Sequence, residues 1–199
     1  MLYSHKISHA IRFSIKTHEV YQKQKRKGKD IPYITHPLVV GLILARAGAD
    51  EDIIVAGILH DTIEDSIPEK KVTKETLMER FGKNVAEIVV SVSESNKKLS
   101  WEERKREALE HIKSFSQGSL LVKSADIINN VSELVDDYEH GGDTIFTRFN
   151  APKEKILQHY LRAIATIMER WPENPLADDL RSVARKLQSI GAGDFISPP

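Results

Sequence analysis

Six consecutive residues, His60-Asp61-Thr62-Ile63-Glu64-Asp65, offer one imidazole and three carboxylates; His36 precedes Pro37 upstream, and Asp126 interrupts an apolar run downstream. Residues four apart on a helix share a face, so His60 is expected over Glu64 and Asp61 over Asp65. His36, His60, Asp61 and Asp126 would offer one cation two imidazoles and two carboxylates. That borderline-to-hard set suits manganese, iron, zinc or magnesium better than copper or an iron–sulfur cluster. Four protein donors leave coordination positions for water and a phosphate oxygen, the style of a catalytic site. A divalent ion lowers the pKa of water it coordinates and polarises a phosphoryl group. Glu64 and Asp65 are then spare carboxylates, placed to take a proton or orient the attacking water. The chemistry expected is hydrolysis at phosphorus.

A His-Asp dipeptide alone would read as a solvated helix end. Asp126 changes the weighing, because it lies among Leu120, Leu121, Val122, Ala125, Ile128 and Val131, where an uncompensated carboxylate is costly. Asn130, one helical turn on, adds a hydrogen-bonding group to the same face. His5, His9, His111, His140 and His159 fall on polar or edge positions and read as surface histidines, and His18 reads as packing inside the first helix. Glycine-rich phosphate loops and a serine nucleophile elbow are absent from the sequence.

The elements that must position these groups read as helices throughout, since alternating β-branched runs bounded by hairpin turns are missing. The fold class expected is all-α. A first amphipathic helix is predicted over about 3–24, followed by the basic loop Lys23 to Lys29. Proline is favoured at a first helical position and restricts the residue before it, so a second helix is expected from Leu38 to Ala47 with His36 in extended geometry at its entry. Asp50-Glu51-Asp52 caps a third, apolar helix leading into His60-Asp61. Further helices are predicted over Thr73 to Phe81, Val85 to Val92, from a capping box at Ser100 to Glu103, over Gln117 to Val135, from Asn150 to Arg170, and from Asn174 to Gly191. Only the tail Phe195 to Pro199 reads as loose.

At 199 residues the chain fits a single domain, 1–199, large enough to bury a core. Lys plus Arg and Asp plus Glu are each 29, so the formal net charge is zero and there is no global electrostatic case for a nucleic-acid partner. An anionic ligand must be held locally. Cysteine is absent, which removes disulfides, thiolate zinc sites and cysteine nucleophiles. No run approaches the roughly 18 apolar residues of a membrane helix, and the start lacks a signal-peptide stretch, so the expectation is a soluble, cytoplasmic protein with no membrane partner.

The order His36, His60-Asp61, Asp126 resembles the HD superfamily of metal-dependent phosphohydrolases, whose helical-bundle fold it implies. More narrowly, Arg26-Lys27, Pro32-Tyr33-Ile34-Thr35-His36-Pro37, the stretch Ala56 to Asp65, Phe81-Gly82, and Leu121 to Asp126 with Asn130 resemble the hydrolase domain of the RelA/SpoT alarmone enzymes. The motif-bearing part covers about 5–135, with C-terminal helices over about 150–191. The resemblance implies a manganese-dependent hydrolase, with another divalent cation as the alternative, that removes the 3′-pyrophosphate of the stringent-response alarmone ppGpp to leave GDP. It implies a stand-alone small alarmone hydrolase whose partner is a small-molecule nucleotide. By the same resemblance, His36, His60, Asp61 and Asp126 hold the metal, and Glu64 and Asp65 assist water attack. Arg26, Lys27 and Asn130 would contact nucleotide, with Lys155 and Tyr160 as further phosphate and base contacts.

Two departures from the family pattern stand out. His18 and Gln24 are six apart where the family has glutamine close behind the histidine, which implies altered base recognition, and Ser132 replaces an arginine, which implies a less charged substrate or compensation by Lys123, Lys153 or Lys155. Other HD-type nucleotide or dinucleotide phosphohydrolases, and a nonenzymatic alarmone- or metal-sensing module, are the competing expectations.

Overall fold

The computed structural model describes residues 4–94 and 99–193, and the C-terminal tail expected to be loose lies outside them. The described residues form ten α-helices: α1 His5–Ile15, α2 Thr35–Arg46, α3 Glu51–Leu59, α4 Thr62–Asp65, α5 Lys74–Phe81, α6 Lys83–Val92, α7 Trp101–Ile112, α8 Gln117–Gly141, α9 Lys153–Arg170 and α10 Ala177–Ser189. Short 3₁₀ turns cover Pro68–Lys70 and Gly142–Arg148. No strand occurs among the described residues, and a lone antiparallel bridge, Lys25 to Pro32, closes the basic loop. No described helix is long and apolar enough to cross a membrane.

Helix α8 is the axis of the bundle, packing on α2, α3, α6, α9 and α10. Its Leu120, Val122, Ala125, Ile127 and Val131 are buried around the helix, which explains a run that is apolar on more than one face. It continues six residues beyond the expected end at Val135 and stops at Gly142, whose positive φ of 55° terminates it without strain. The capping box of α7 forms as predicted, Ser100 and Glu103 each satisfying the other's backbone N–H.

Helices α2 and α3 approach unusually closely. A Cβ at Gly57 would lie 2.2 Å from Leu44 Cδ1, and one at Gly41 would lie 2.7 Å from Ile58 Cγ1. That proximity brings His36, near the start of α2, to His60, just past the end of α3.

Two local expectations are corrected. Helix α2 begins at Thr35, so His36 is helical and Pro37 occupies the third helical position, where a missing N–H costs nothing because the first four N–H groups lack intrahelical partners anyway. Helix α1 ends at Ile15 and continues as π-helical Lys16–Tyr21, with the Gln22 N–H reaching the Thr17 carbonyl at 3.1 Å.

Candidate active site

The chain breaks its helix at His60-Asp61, between α3 and α4, so these two side chains leave the backbone at a corner rather than along one continuous face. The corner meets the first turn of α2 and the middle of α8. His36 Nε2 lies 3.2 Å from His60 Nε2 and 3.3 Å from Asp126 Oδ1, and donor atoms of His36, His60 and Asp126 all fall within 4.8 Å of one another. Asp61 Oδ2 adjoins them, 2.9 Å from His60 Nε2 and 3.7 Å from His36 Nε2.

The outer nitrogens of both imidazoles are occupied. His60 Nδ1 donates to the Gly57 carbonyl at 2.7 Å, and His36 Nδ1 faces Asn129 Oδ1 at 2.6 Å. Those contacts place the proton on Nδ1 and leave the Nε2 lone pairs facing one another beside two carboxylates. Such an arrangement calls for a positive charge between the nitrogens, and a divalent cation fits this donor set.

The electrostatics agree. Burial alone would depress His60, but the Asp61 and Asp126 carboxylates and the Gly57 carbonyl raise it to about 9. Asp61 and Asp126 are held well below the usual carboxylate range against the cost of burial, Asp61 by His60 and His36, Asp126 first by Lys123 and then by the histidines. Lys123 Nζ donates to Asp126 Oδ2 at 2.8 Å, Asn130 Nδ2 donates to Asp126 Oδ1 at 2.5 Å, and the Tyr33 hydroxyl donates to Asp61. Burial and the nearby Asp61 and Asp65 charges keep that phenol protonated.

A cavity of about 340 Å³ opens above this cluster. Glu64 lines it and accepts the Glu94 N–H at 2.6 Å; burial, then the Asp61 charge, raises Glu64 to about 7. Lys27, Asn130 and Tyr160, residues for which a nucleotide contact is expected, also line it. Asp65 does not: it accepts from Gln24 Nε2 at 2.9 Å, and Gln24 Oε1 meets His18 Nδ1 at 3.0 Å. Past the π-helical turn, Lys23 takes a positive φ of 51° and the Gln24 N–H reaches the His18 carbonyl at 2.9 Å, which brings His18 and Gln24 together despite their six-residue separation. Arg26 stacks over Tyr33 and donates to Asn130 and Glu133, lining an adjoining groove rather than the cavity over the metal-ligand cluster. Lys155 is corrected outright. It is half exposed and paired with Glu102, because Ile156, His159 and Tyr160 form the cavity-facing stripe of α9 and Lys155 falls outside it. Lys153 likewise turns to Asp143 and Tyr138.

Several cavity residues were missed. Arg104 and Lys105 line it and pair with Glu94; they read in sequence as the polar side of α7. Asn129 lies three residues after Asp126, a spacing that could have identified it, but its neighbour Asn130 drew the assignment. His159 is not a surface histidine: it lines the cavity, and burial, followed by the Lys105 and Lys123 charges, lowers it to about 3.

The model of the HD domain family matches residues 10–156. The chain belongs to the HD domain family. The HD corner is His60-Asp61, and the match embraces α2, α3, α8 and all four candidate ligands. Among curated relatives, the guanosine-3′,5′-bis(diphosphate) 3′-pyrophosphohydrolase MESH1 of Xenopus tropicalis is 40% identical over 119 residues, covering 58% of this chain and 64% of that protein. The guanosine-3′,5′-bis(diphosphate) 3′-pyrophosphohydrolase of Aquifex aeolicus is 37% identical over 118 residues, covering 58% of this chain and 16% of that much longer protein. The chain thus matches less than two thirds of the length of these relatives. A solved structure described as a metazoan ortholog of SpoT that hydrolyzes ppGpp superposes with a TM-score of 0.76 over 96% of this chain and 99% of that one, at 22% identity, a likeness of fold. The protein lmo0812 of Listeria monocytogenes superposes with a TM-score of 0.67 at 31% identity, over 78% of this chain and 97% of that one. The HD assignment accounts for the all-α bundle.

Proposed function

We propose that this HD protein is a manganese-dependent nucleotide phosphohydrolase that removes the 3′-pyrophosphate of guanosine-3′,5′-bis(diphosphate). The observation carrying the proposal is the buried His36-His60-Asp126 cluster, flanked by Asp61, beneath a cavity bearing Lys27, Arg104, Lys105 and Lys123. The relatives named for this activity support the choice of substrate.

A divalent ion held by His36, His60, Asp61 and Asp126 would supply Lewis acidity toward water and a phosphoryl oxygen. The chain's own groups do the rest. Glu64, raised toward neutrality, is suited to hold the proton given up by the attacking water, and it reaches the cavity whereas Asp65 does not. Asp65 acts from behind, tied to Gln24 and so to His18. Lys123 keeps Asp126 ionised and sets a fixed positive charge on the cavity wall, where charge developing on phosphoryl oxygens is stabilised without reorganisation. Asn130 links Asp126 to Arg26 of the basic loop, so the arrangement around the phosphate is coupled to the segment beside the nucleotide.

The alternative, an HD hydrolase acting on another nucleotide or a dinucleotide, is favoured by one observation: Arg26 is occupied by Glu133 and Lys29 by Glu133 and Asp137, which reduces the loop charge free to meet a polyphosphate. Incubating the manganese-loaded protein with ppGpp, nucleoside monophosphates and dinucleotide cofactors, with products resolved by chromatography, decides between them. Release of pyrophosphate with GDP from ppGpp is the expected outcome. Turnover of the other substrates with ppGpp untouched would transfer the assignment.

A further inference from the structure

The cavity over the metal-ligand cluster has two flanks. Lys27, Tyr33, Asn130, Phe149 and Tyr160 line both the cavity and the groove at the basic loop, the side on which the nucleotide is placed. Val92, Glu94, Arg104 and Lys123 line both the cavity and a small pocket beneath α7, and no described residue lines both that pocket and the groove. A nucleotide seated on the loop flank with its reacting phosphorus over His36 and His60 sends the rest of its phosphate group toward α7. That flank is cationic: Arg104, Lys105 and Lys123 lie in it, and burial, then the Lys105 and Lys123 charges, keep His159 neutral there.

The three cations are not held alike. Lys123 is tied to Asp126, a candidate metal ligand, and is fixed by that role. Arg104 and Lys105 share one carboxylate, that of Glu94. Arg104 reaches Glu94 Oε2 through NH1 alone, at 2.8 Å, and its buried Nε has no hydrogen-bond partner, so the pair lacks the two-pronged geometry of the strongest arginine–carboxylate contacts. Lys105 Nζ takes the other oxygen, Oε1. Each carboxylate oxygen thus meets one cation, as two oxygens of a phosphate would. The three side chains are each a fifth to a quarter exposed, within reach of an entering ligand. The backbone of Glu94 has a separate duty, its N–H donating to Glu64 Oε1 at 2.6 Å. The carboxylate can therefore rotate off the cations about its own side-chain bonds while the N–H stays on the proposed proton acceptor.

We infer that Glu94 is an exchangeable carboxylate that competes with phosphate oxygens for Arg104 and Lys105, yielding both cations as a phosphate group enters the cavity and reclaiming them as it leaves. In the proposed reaction, that reclaiming favours departure of pyrophosphate. The exchange also sets a threshold for binding, because a ligand must carry enough negative charge to displace a carboxylate from two cations. The inference rests on the nucleotide-hydrolase reading above for its ligand class, but its test does not depend on turnover.

The test is a double-mutant cycle read by calorimetric titration of manganese-loaded protein, freed of unbound metal, with inorganic phosphate. Glu94→Gln keeps the side-chain volume and the backbone bond to Glu64 while removing the competing charge, and should tighten phosphate binding by roughly 10-fold. In an Arg104→Gln/Lys105→Gln background, where nothing is left to compete for, adding Glu94→Gln should change phosphate affinity by less than about twofold. Affinity unchanged or weakened by Glu94→Gln alone would overturn the exchange, making Glu94 a strut that holds the two cations in place. An equal gain in both backgrounds would overturn it as well, reducing Glu94 to a general charge on the cavity wall. Tighter phosphate binding that requires Arg104 and Lys105, in a protein that fails to hydrolyse ppGpp, would retain the exchange and remove the proposed reaction instead.

Discussion

Asn129 holds His36: the amide oxygen lies 2.6 Å from Nδ1 of the imidazole, both residues are buried, and the contact joins the middle of α8 to the first turn of α2. The bond fixes which nitrogen faces Asp126 and His60, and outer contacts of this kind orient a ligand as well as raise its basicity. Asn129→Leu keeps the volume but removes the acceptor. Calorimetric titration with Mn²⁺ should show affinity reduced by about 10- to 100-fold. Unchanged affinity would mean that His36 is oriented by packing alone.

Glu64 is held near 7 by burial and the Asp61 charge, so its base form is populated only as pH rises through that value. If Glu64 accepts the proton of the attacking water, kcat/KM rises through an acidic limb near pH 7. Glu64→Gln should lower kcat by about 10²- to 10⁴-fold, with metal content measured by elemental analysis unchanged. The sign for stability is opposite. A carboxyl whose folded pKa lies above its unfolded value of 4.5 keeps its proton longer in the native state, so its contribution to stability falls between about 4.5 and 7 as pH rises. Denaturant midpoints of the wild type should decline across that window more steeply than those of Glu64→Gln.

Gln24 bridges His18 and Asp65, and Asp65 is largely buried. Removing the bridge with Gln24→Leu takes one hydrogen bond from Asp65 Oδ2 and one from His18 Nδ1, at a cost of about 1–3 kcal/mol in urea unfolding. A loss below a few tenths of a kcal/mol would show that water replaces the amide without penalty.

Gly57 supplies both the carbonyl that orients His60 and the empty space that Leu44 fills. Gly57→Ala should cost about 1–3 kcal/mol by overpacking and weaken metal binding at the same time, through displacement of the α3 end. Adding Leu44→Ala should recover part of both losses if the clash is the cause; recovery of neither would assign the effect elsewhere.

The helices were readable because their ends are chemically marked: Ser100 with Glu103, Thr73 ahead of α5, and Asn174, whose amide oxygen accepts the Leu176 N–H, ahead of α10. His36, His60, Asp61 and Asp126 were nameable because a buried carboxylate and a constrained histidine are rare enough to demand a reason. The walls were not. Arg104 and Lys105 look like any solvated helix face until α7 packs on α9, and Lys155 attracted attention as a cation although helical phase gives the cavity to Ile156, His159 and Tyr160. The His18 to Gln24 contact depends on the reversal at Lys23, with its positive φ, just past the π-helical segment, which no periodicity of 3.6 anticipates. Local spacing thus identified the floor of the cavity, while its sides required knowledge of which helices meet.

The central claim is that one cation at the His36-His60-Asp126 cluster, with Asp61, drives pyrophosphate release. The most direct measurement is the initial rate of pyrophosphate release from ppGpp as chelator-stripped protein is titrated with Mn²⁺, with bound metal quantified at every point. The account predicts no release from the stripped protein and a rate rising in proportion to occupancy until one ion is bound per chain. Release that persists without metal, or none from protein carrying its full complement of manganese, would contradict it.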